Sequence, residues 1–235
     1  MACRELLLTL SRKGLISLPP RLTSANNEKR NRTIPAVDID RSPLQEKLAS
    51  LGLVDLKPVR NTKLEPLYNS LIHQHHYLGY RQIVGNHLKY IAFIADRPVA
   101  CLGWGSAAWK LKSRDTFIGW DAKSKENNLH FVANNTRFLI LPWISVKCLA
   151  SKLLALNARR ICADWLDTYN YPLYLLETFI EKNRFKGTCY KAANWVCTGQ
   201  TKGTAKKGHL HVKHGNIKDV YLYPLSKDFR KKLIG

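Results

Sequence analysis

A chain of 235 residues is long enough for one sizeable core with a small appendage, and 45% hydrophobic content with ten tyrosines excludes wholesale disorder. Lysine and arginine number 38 against 17 acidic residues, a net charge of +21, which fits a polyanionic partner better than a merely soluble basic protein. A membrane partner is not expected, because no basic amphipathic helix with a clean apolar face stands out and no apolar run approaches ~18 residues. Six cysteines without a Cys-x-x-Cys pair read as buried thiols in a reducing compartment. With no signal-peptide pattern at the N-terminus, a cytoplasmic protein is expected.

In chain order, residues 4–13 form a short helix with Leu6, Leu7 and Leu10 on one face, ended by Gly14. Residues 1–22 read as a remnant helix-turn-helix-like arm. The basic, polar stretch from Thr23 to Arg41 reads as a linker, and residues 23–60 as linker and first elements. There Pro43, Leu44 and Gln45 stand at a helix start, and Val54 to Val59 forms a first strand. The body spans residues 61–225. Leu64 to His75 is helical in pattern. Leu88 to Ala95 and Val99 to Gly105 are paired strands around a turn at Asp96-Arg97-Pro98. Asp115 falls in a strand-like run. A strand at Leu129 to Val132 precedes Phe138 to Leu141, a helix from Ser145 to Asn157 and a strand ending in Asp164. Pro172 to Glu181 is the next helix, Tyr190 to Cys197 a strand, and Val220 to Pro224 a late edge strand. Residues 226–235 form a basic tail.

The unit from Arg137 to Asp164, strand, proline, helix, strand, resembles the centre of the GNAT acetyltransferase fold. The fold class this implies is α/β (α+β): a GNAT-like mixed central sheet with helices on both faces. In that family an Arg/Gln-x-x-Gly-x-Gly/Ala loop holds the coenzyme A pyrophosphate on backbone amides at a helix N-terminus. Here the loop reads Ser145-Val146-Lys147-Cys148-Leu149-Ala150. The arginine and first glycine are gone, and Val146 and Cys148 carry side chains where phosphate needs bare backbone. Acetyl-CoA is therefore not expected as a cofactor.

Five phrases taken together are more specific: HHYLGY (75–80), LGWGSAAWKLKSRDTFIGW (102–120), NNTRFLILPW (134–143), residues 164–195, and KDVYLYPL (218–225). They resemble the family of the Druantia anti-phage protein A, a domain also found in or near insertion-sequence transposases. The resemblance covers roughly residues 1–225. It implies nucleic-acid transactions in phage defence or mobile elements, alongside other defence or transposition proteins.

Three acids are candidates for chemistry: Asp115, Asp164 and Glu177. Phosphodiester hydrolysis commonly gathers two or three carboxylates around Mg²⁺ or Mn²⁺. Asp164 would be the primary ligand, Glu177 the second ligand or general base, and Asp115 would complete the shell. The alternative is structural: Asp115 paired with Arg114, Asp164 capping a turn, Glu177 bonded to a buried tyrosine. His73 and His76, three apart on a helix, lack the further ligands of a zinc site, and His75 and Tyr77 are better read as lining a cleft. Tyr190 is an alternative nucleophile, with Arg184, Lys186 and Lys191 around it.

For binding, thirteen lysines and arginines from Lys182 to Lys232 face two aspartates. Residues 199–215 combine glycines with Lys202, Lys206, Lys207 and Lys213 and read as a mobile loop that tracks phosphates. Trp109, between Ala108 and Lys110, is a candidate to stack on an unpaired base. Arg114 and Lys112 complete the candidate nucleic-acid contacts. The reading that results is a DNA-binding, DNA-processing protein of a defence or mobile-element system, a metal-dependent nuclease or strand-transfer enzyme. The alternatives are a non-catalytic nucleic-acid-binding module and an acetyltransferase.

Overall fold

The structure, a computed structural model, describes residues 3–20, 34–207, 210–213 and 215–235. The chain forms two compact units, Met1–Ile34 and Pro35–Gly235. The first contains helix α1 (Cys3–Arg12), with Glu5 in its first turn and Arg12 in its last, each complementing the helix dipole. Most of the expected basic linker, residues 21–33, lies outside the described residues.

The second unit is built on a seven-stranded mixed sheet in the order β1-β2-β3-β4-β5-β9-β6. Strand β1 (Asp55–Pro58) precedes helix α2 (Glu65–His75) and the hairpin β2 (Leu88–Ile94) and β3 (Arg97–Ser106). Every residue of β2 and all but the ends of β3 are buried, as strands covered on both faces require. The hairpin turns on Ala95 and Asp96, both at positive φ, and Arg97 already pairs with Ile94. Helices α3 (Lys112–Ile118) and α4 (Ala122–Asn128) lead to β4 (Val132–Ile140). Then come α5 (Leu149–Tyr169), β5 (Leu175–Glu181), α6 (Thr188–Ala192) and β6 (Val196–Gln200). A separate two-stranded ribbon, β7 (Thr204–Lys207) and β8 (Leu210–Lys213), precedes β9 (Lys218–Pro224) and α7 (Phe229–Ile234).

The mixed sheet with its helices is the expected fold class, but the central unit is shifted along the chain. The expected helix at 145–157 and strand to Asp164 are one 21-residue helix, α5. Its buried positions Leu149, Leu153, Leu154, Asn157, Ala158, Ile161 and Trp165 keep a helical period without interruption. Asn170, in the left-handed region, ends it. The expected helix at 172–181 is the buried strand β5, because a short apolar run bounded by proline and turn residues fits a core strand equally well. Asp115 lies on helix α3 and Tyr190 on helix α6. The expected edge strand at 220–224 is interior: β9 lies between β5 and β6 and buries Val220, Tyr221 and Leu222. The segment at Pro43 forms no helix; Leu44 makes a bridge to Ile144. The basic tail at 226–235 ends in α7, which buries Phe229 and Leu233 in a second apolar cluster with Ile118, Val132 and Leu222.

The joint that positions the site is between β4 and β5. These are the parallel neighbours of the sheet, and they pair only from Val132–Asn135 to Leu175–Thr178. Beyond it β4 stays bonded to β3 as far as Ile140, and β5 to β9 as far as Glu181. The sheet therefore opens into two halves from a short common hinge. A bulge at Thr136, opposite Gly103 and Trp104, bends β4 at that point. A Cβ at Gly103 would run into the Tyr68 hydroxyl.

Candidate functional site

The opening between the splayed strands is a cleft of about 680 Å³. Its walls are Thr136 to Ile140 from β4 and Thr178 to Ile180 from β5; His75, His76 and Tyr77 follow from the end of α2, and Arg184 to Tyr190 from the turn into α6. The apex is fixed by a polar knot. Tyr190 donates its hydroxyl to Asn135 Oδ1 at 2.7 Å, Asn135 Nδ2 donates to the carbonyls of Gly103 and Arg137, and Thr178 donates to the Asn135 carbonyl. Past that knot, the edges of β4 and β5 that would have paired face the opening.

Arg137, Arg184, Lys186 and Lys218 line the cleft, and no carboxylate is among its lining residues. Arg137 is half-buried; its Nε donates to the Gly79 carbonyl at 3.2 Å and Nη1 to the Thr136 carbonyl at 2.7 Å. Arg184 lies over the Tyr77 ring, 4.4 Å from its centroid, and Tyr77 and Phe185 are 5.5 Å apart. Burial, reinforced by Arg137 and Arg184, lowers the His76 imidazole to about 4, so it is neutral in this setting. Burial, with Glu181, raises the Tyr77 phenol.

The sequence-derived acids fall elsewhere and apart. Glu177 is fully buried; it accepts Arg114 Nη1 at 2.9 Å and the Ala108 amide at 2.7 Å. Arg114, also sealed, donates to the Ala108 carbonyl and to Asp115 Oδ1 at 2.8 Å. Trp120 and Lys125 complete the partners of Asp115. Burial pushes the Glu177 carboxyl upward against the pull of Arg114. Asp164, on α5, accepts Arg160 at 2.7 and 2.9 Å and the Tyr90 hydroxyl at 2.7 Å. Asp115 and Glu177 are thus joined through one arginine, with Asp164 in a different ion pair, and Arg114 is withdrawn from any phosphate. Among the described residues no group of three or more His, Cys, Asp or Glu side chains is placed to hold a metal ion. Tyr190 is buried, and burial raises its phenol further from the phenolate a nucleophile needs.

Of the expected binding residues, Arg184 and Lys186 reach the cleft, while Lys191 is exposed on α6 and is not among its lining residues. Trp109 is 54% exposed, beside the exposed Lys110 and with the Lys125 ammonium 6.0 Å from its ring; Lys112 is exposed at the start of α3. Lys202 is exposed. Lys206, Lys207 and Lys213 belong to the β7–β8 ribbon rather than to a loop, with Lys206 opposite His211; their side chains lie outside the described ones. Sequence reasoning missed Arg137 and Lys218 as partners of Arg184. The signal was the position of Arg137 within the first strand of the central unit, but the register that brings Lys218 opposite Glu181 is a long-range property.

A family model described as Druantia protein DruA matches residues 9–213. The chain belongs to that family. No curated protein matches it. Among solved structures it is similar to an N-acetyltransferase from Staphylococcus aureus Mu50, at 12% identity over 74% of this chain and 99% of that one, TM-score 0.45. It is similar too to an aminoglycoside acetyltransferase solved with coenzyme A and kanamycin, at 14% identity over 77% and 98%, TM-score 0.45. A third is the ribosomal-protein-S18-alanine N-acetyltransferase from Escherichia coli, at 8% identity over 74% and 95%, TM-score 0.42. Similarity at this level assigns no chemistry to this chain.

The loop between β4 and α5 decides how far coenzyme A fits. The N–H of Ile144 donates to the Leu141 carbonyl, that of Ser145 to Leu44, and that of Leu149 to Val146. Cys148 holds φ 64° with a side chain attached. A pyrophosphate needs several convergent amides and close backbone approach. These three amides have partners within the protein, and Cys148 sets a side chain at a left-handed position of the loop.

Proposed function

We propose that this chain is a nucleic-acid-binding protein of an anti-phage defence system, taking phosphates into the cleft between β4 and β5. The family supports the setting. The observation that carries the binding reading is the cleft itself: four cationic side chains from three separated segments converge on it, and no carboxylate lines it. Such a site attracts phosphate with one acid, Glu181, at its rim opposite Lys218, and the net charge of +21 adds long-range attraction for a polymer. DNA is the first candidate because phage genomes are the material such a system meets. Metal-dependent cleavage by Asp115, Asp164 and Glu177 finds no support, since a metal shell would need three buried or half-buried ion pairs broken first.

The test is fluorescence anisotropy with a labelled oligonucleotide across about 50–200 mM salt, comparing the wild type with a variant in which Arg137, Arg184, Lys186 and Lys218 are glutamine. Losing four phosphate contacts should flatten the salt slope by about 3 and weaken low-salt binding by at least about 100-fold. A folded variant with wild-type affinity and slope would overturn the reading. Calorimetric titration with acetyl-CoA should give no micromolar binding.

A further inference from the structure

We infer that the nucleic acid recognised here is single-stranded, with an unpaired base held at the mouth of the cleft by Tyr77, Arg184 and Phe185. This rests on the reading of the cleft as a phosphate site and names the form of its ligand.

The mouth is built from two segments far apart in sequence: Tyr77 follows α2, and Arg184 and Phe185 lie in the turn between β5 and α6. Both aromatics are left in water, Tyr77 38% and Phe185 46% exposed, although most of the tryptophans are in the core. Their rings stand 5.5 Å apart, tilted by 56°, with the Arg184 guanidinium 4.4 Å from one centroid and 5.9 Å from the other. Leu78, 43% exposed, extends the apolar rim. Flat aromatic and guanidinium surfaces next to phosphate-binding cations are the elements of a stacking platform for bases. Phosphates would then lie deeper, toward Arg137, Lys186 and Lys218, and within reach of the edge of the stacked Arg184 guanidinium.

Size and access choose between strand forms. A cavity of about 680 Å³ takes a drug-sized guest. A nucleotide or two enters such a space; a double helix does not. In a duplex the base faces are already stacked on one another, so an aromatic mouth gains nothing from them unless a base is unpaired. His76 beside Tyr77, with ring centroids 4.8 Å apart, stays neutral and adds another flat wall without competing for phosphate.

The experiment uses the full chain and labelled oligothymidylate as a single strand, against a blunt duplex of equal length. The single strand should bind at least about tenfold more tightly at matched salt. Tyr77→Ala with Phe185→Ala should weaken single-strand binding by about 5- to 150-fold, the effect of losing one stacked base. The salt slope should not change, because no phosphate contact is removed. Tyr77→Phe and Phe185→Trp should retain affinity, which separates stacking from a folding defect; circular dichroism and Tm check each variant. Equal affinity for duplex, or aromatic variants that bind as the wild type does, would overturn this inference and leave the charged cleft standing. Loss of the salt effect in the four-glutamine variant alone speaks to the underlying reading. Displacement by micromolar thymidine monophosphate or coenzyme A would show a small-molecule site and overturn the inference too.

Discussion

Glu177 and Thr178 are neighbours on β5, and the two faces they point to have opposite electrostatic fates. On the Glu177 side, Arg114, Glu177 and Asp115 satisfy one another and clamp both backbone groups of Ala108. On the Thr178 side, Arg137, Arg184, Lys186 and Lys218 meet around an opening whose lining has no carboxylate. The first region has the residue types of chemistry and uses them for structure. The second lines its cleft with cations and no acid, Glu181 staying at the rim opposite Lys218. Charge is available to a ligand only where folding has not already paired it, so the same residue type carries opposite meanings one strand position apart.

The comparison is broken most severely at Arg114. Arg114→Met leaves the Glu177 carboxylate buried without its partner, and should cost about 3–5 kcal/mol of unfolding free energy in urea titration. Replacing both, Arg114→Met with Glu177→Leu, should recover most of that loss, because the desolvation cost of the pair disappears with it. The double variant should bind oligonucleotide as the wild type does. Loss of binding in a folded double variant would mean that the clamped face contributes directly.

A smaller effect sharpens the cleft side. Burial and two arginines lower His76 to about 4 from an ordinary 6.5. The unfolded chain therefore takes up a proton before the folded one does, and stability falls as pH drops from about 6.5 to 4, levelling off below. The size is on the order of 1–3 kcal/mol. His76→Asn should flatten this part of the profile in thermal unfolding followed at several pH values. A wild type equally stable at both ends of the window would show that burial and the two arginines do not hold this ring neutral. Binding should not gain from protonated His76 at pH 6 to 8, since the ring is neutral throughout.

What sequence could reveal follows the range of the interactions involved. The β2–β3 hairpin was legible because Leu88 to Ile94 is apolar but for Lys89 and its turn is local. The central unit was recognisable in kind but misplaced. The sequence pattern separates a helix ending at Asn157 from a strand ending in Asp164, yet Ile161 and Trp165 continue the buried face of α5. Displacing the strand onto residues 161–164 turned Asp164 into a strand-end ligand and made β5 a helix. With β5 in the sheet, Glu177 becomes a core residue whose partner, Arg114, is 63 positions away. The pairing of Arg114 with Asp115 was among the readings open from sequence; its capture of Glu177 was not. His75 and Tyr77 were legible as cleft residues, whereas Arg137, Lys218 and the pairing of Tyr77 with Phe185 depend on the splay of β4 from β5, for which no local pattern codes.

The smallest expected effect is at Trp109, next to the clamped Ala108. Its ring is 54% exposed and its charged neighbour is Lys125, 6.0 Å from the centroid. An exposed cation–π contact contributes about 0.5–1 kcal/mol, so Trp109→Ala should lower stability by no more than about 1 kcal/mol. The backbone beside it stays held by Arg114 and Glu177 whatever side chain position 109 carries. Its effect on binding then tests which face the nucleic acid occupies. With the base held at the mouth of the cleft, Trp109→Ala should weaken single-strand affinity less than Phe185→Ala, measured in parallel at one salt concentration. The reverse order would move the principal stacking contact to the side where Lys110 and Lys125 stand beside Trp109, and would make the clamp a device for presenting that ring.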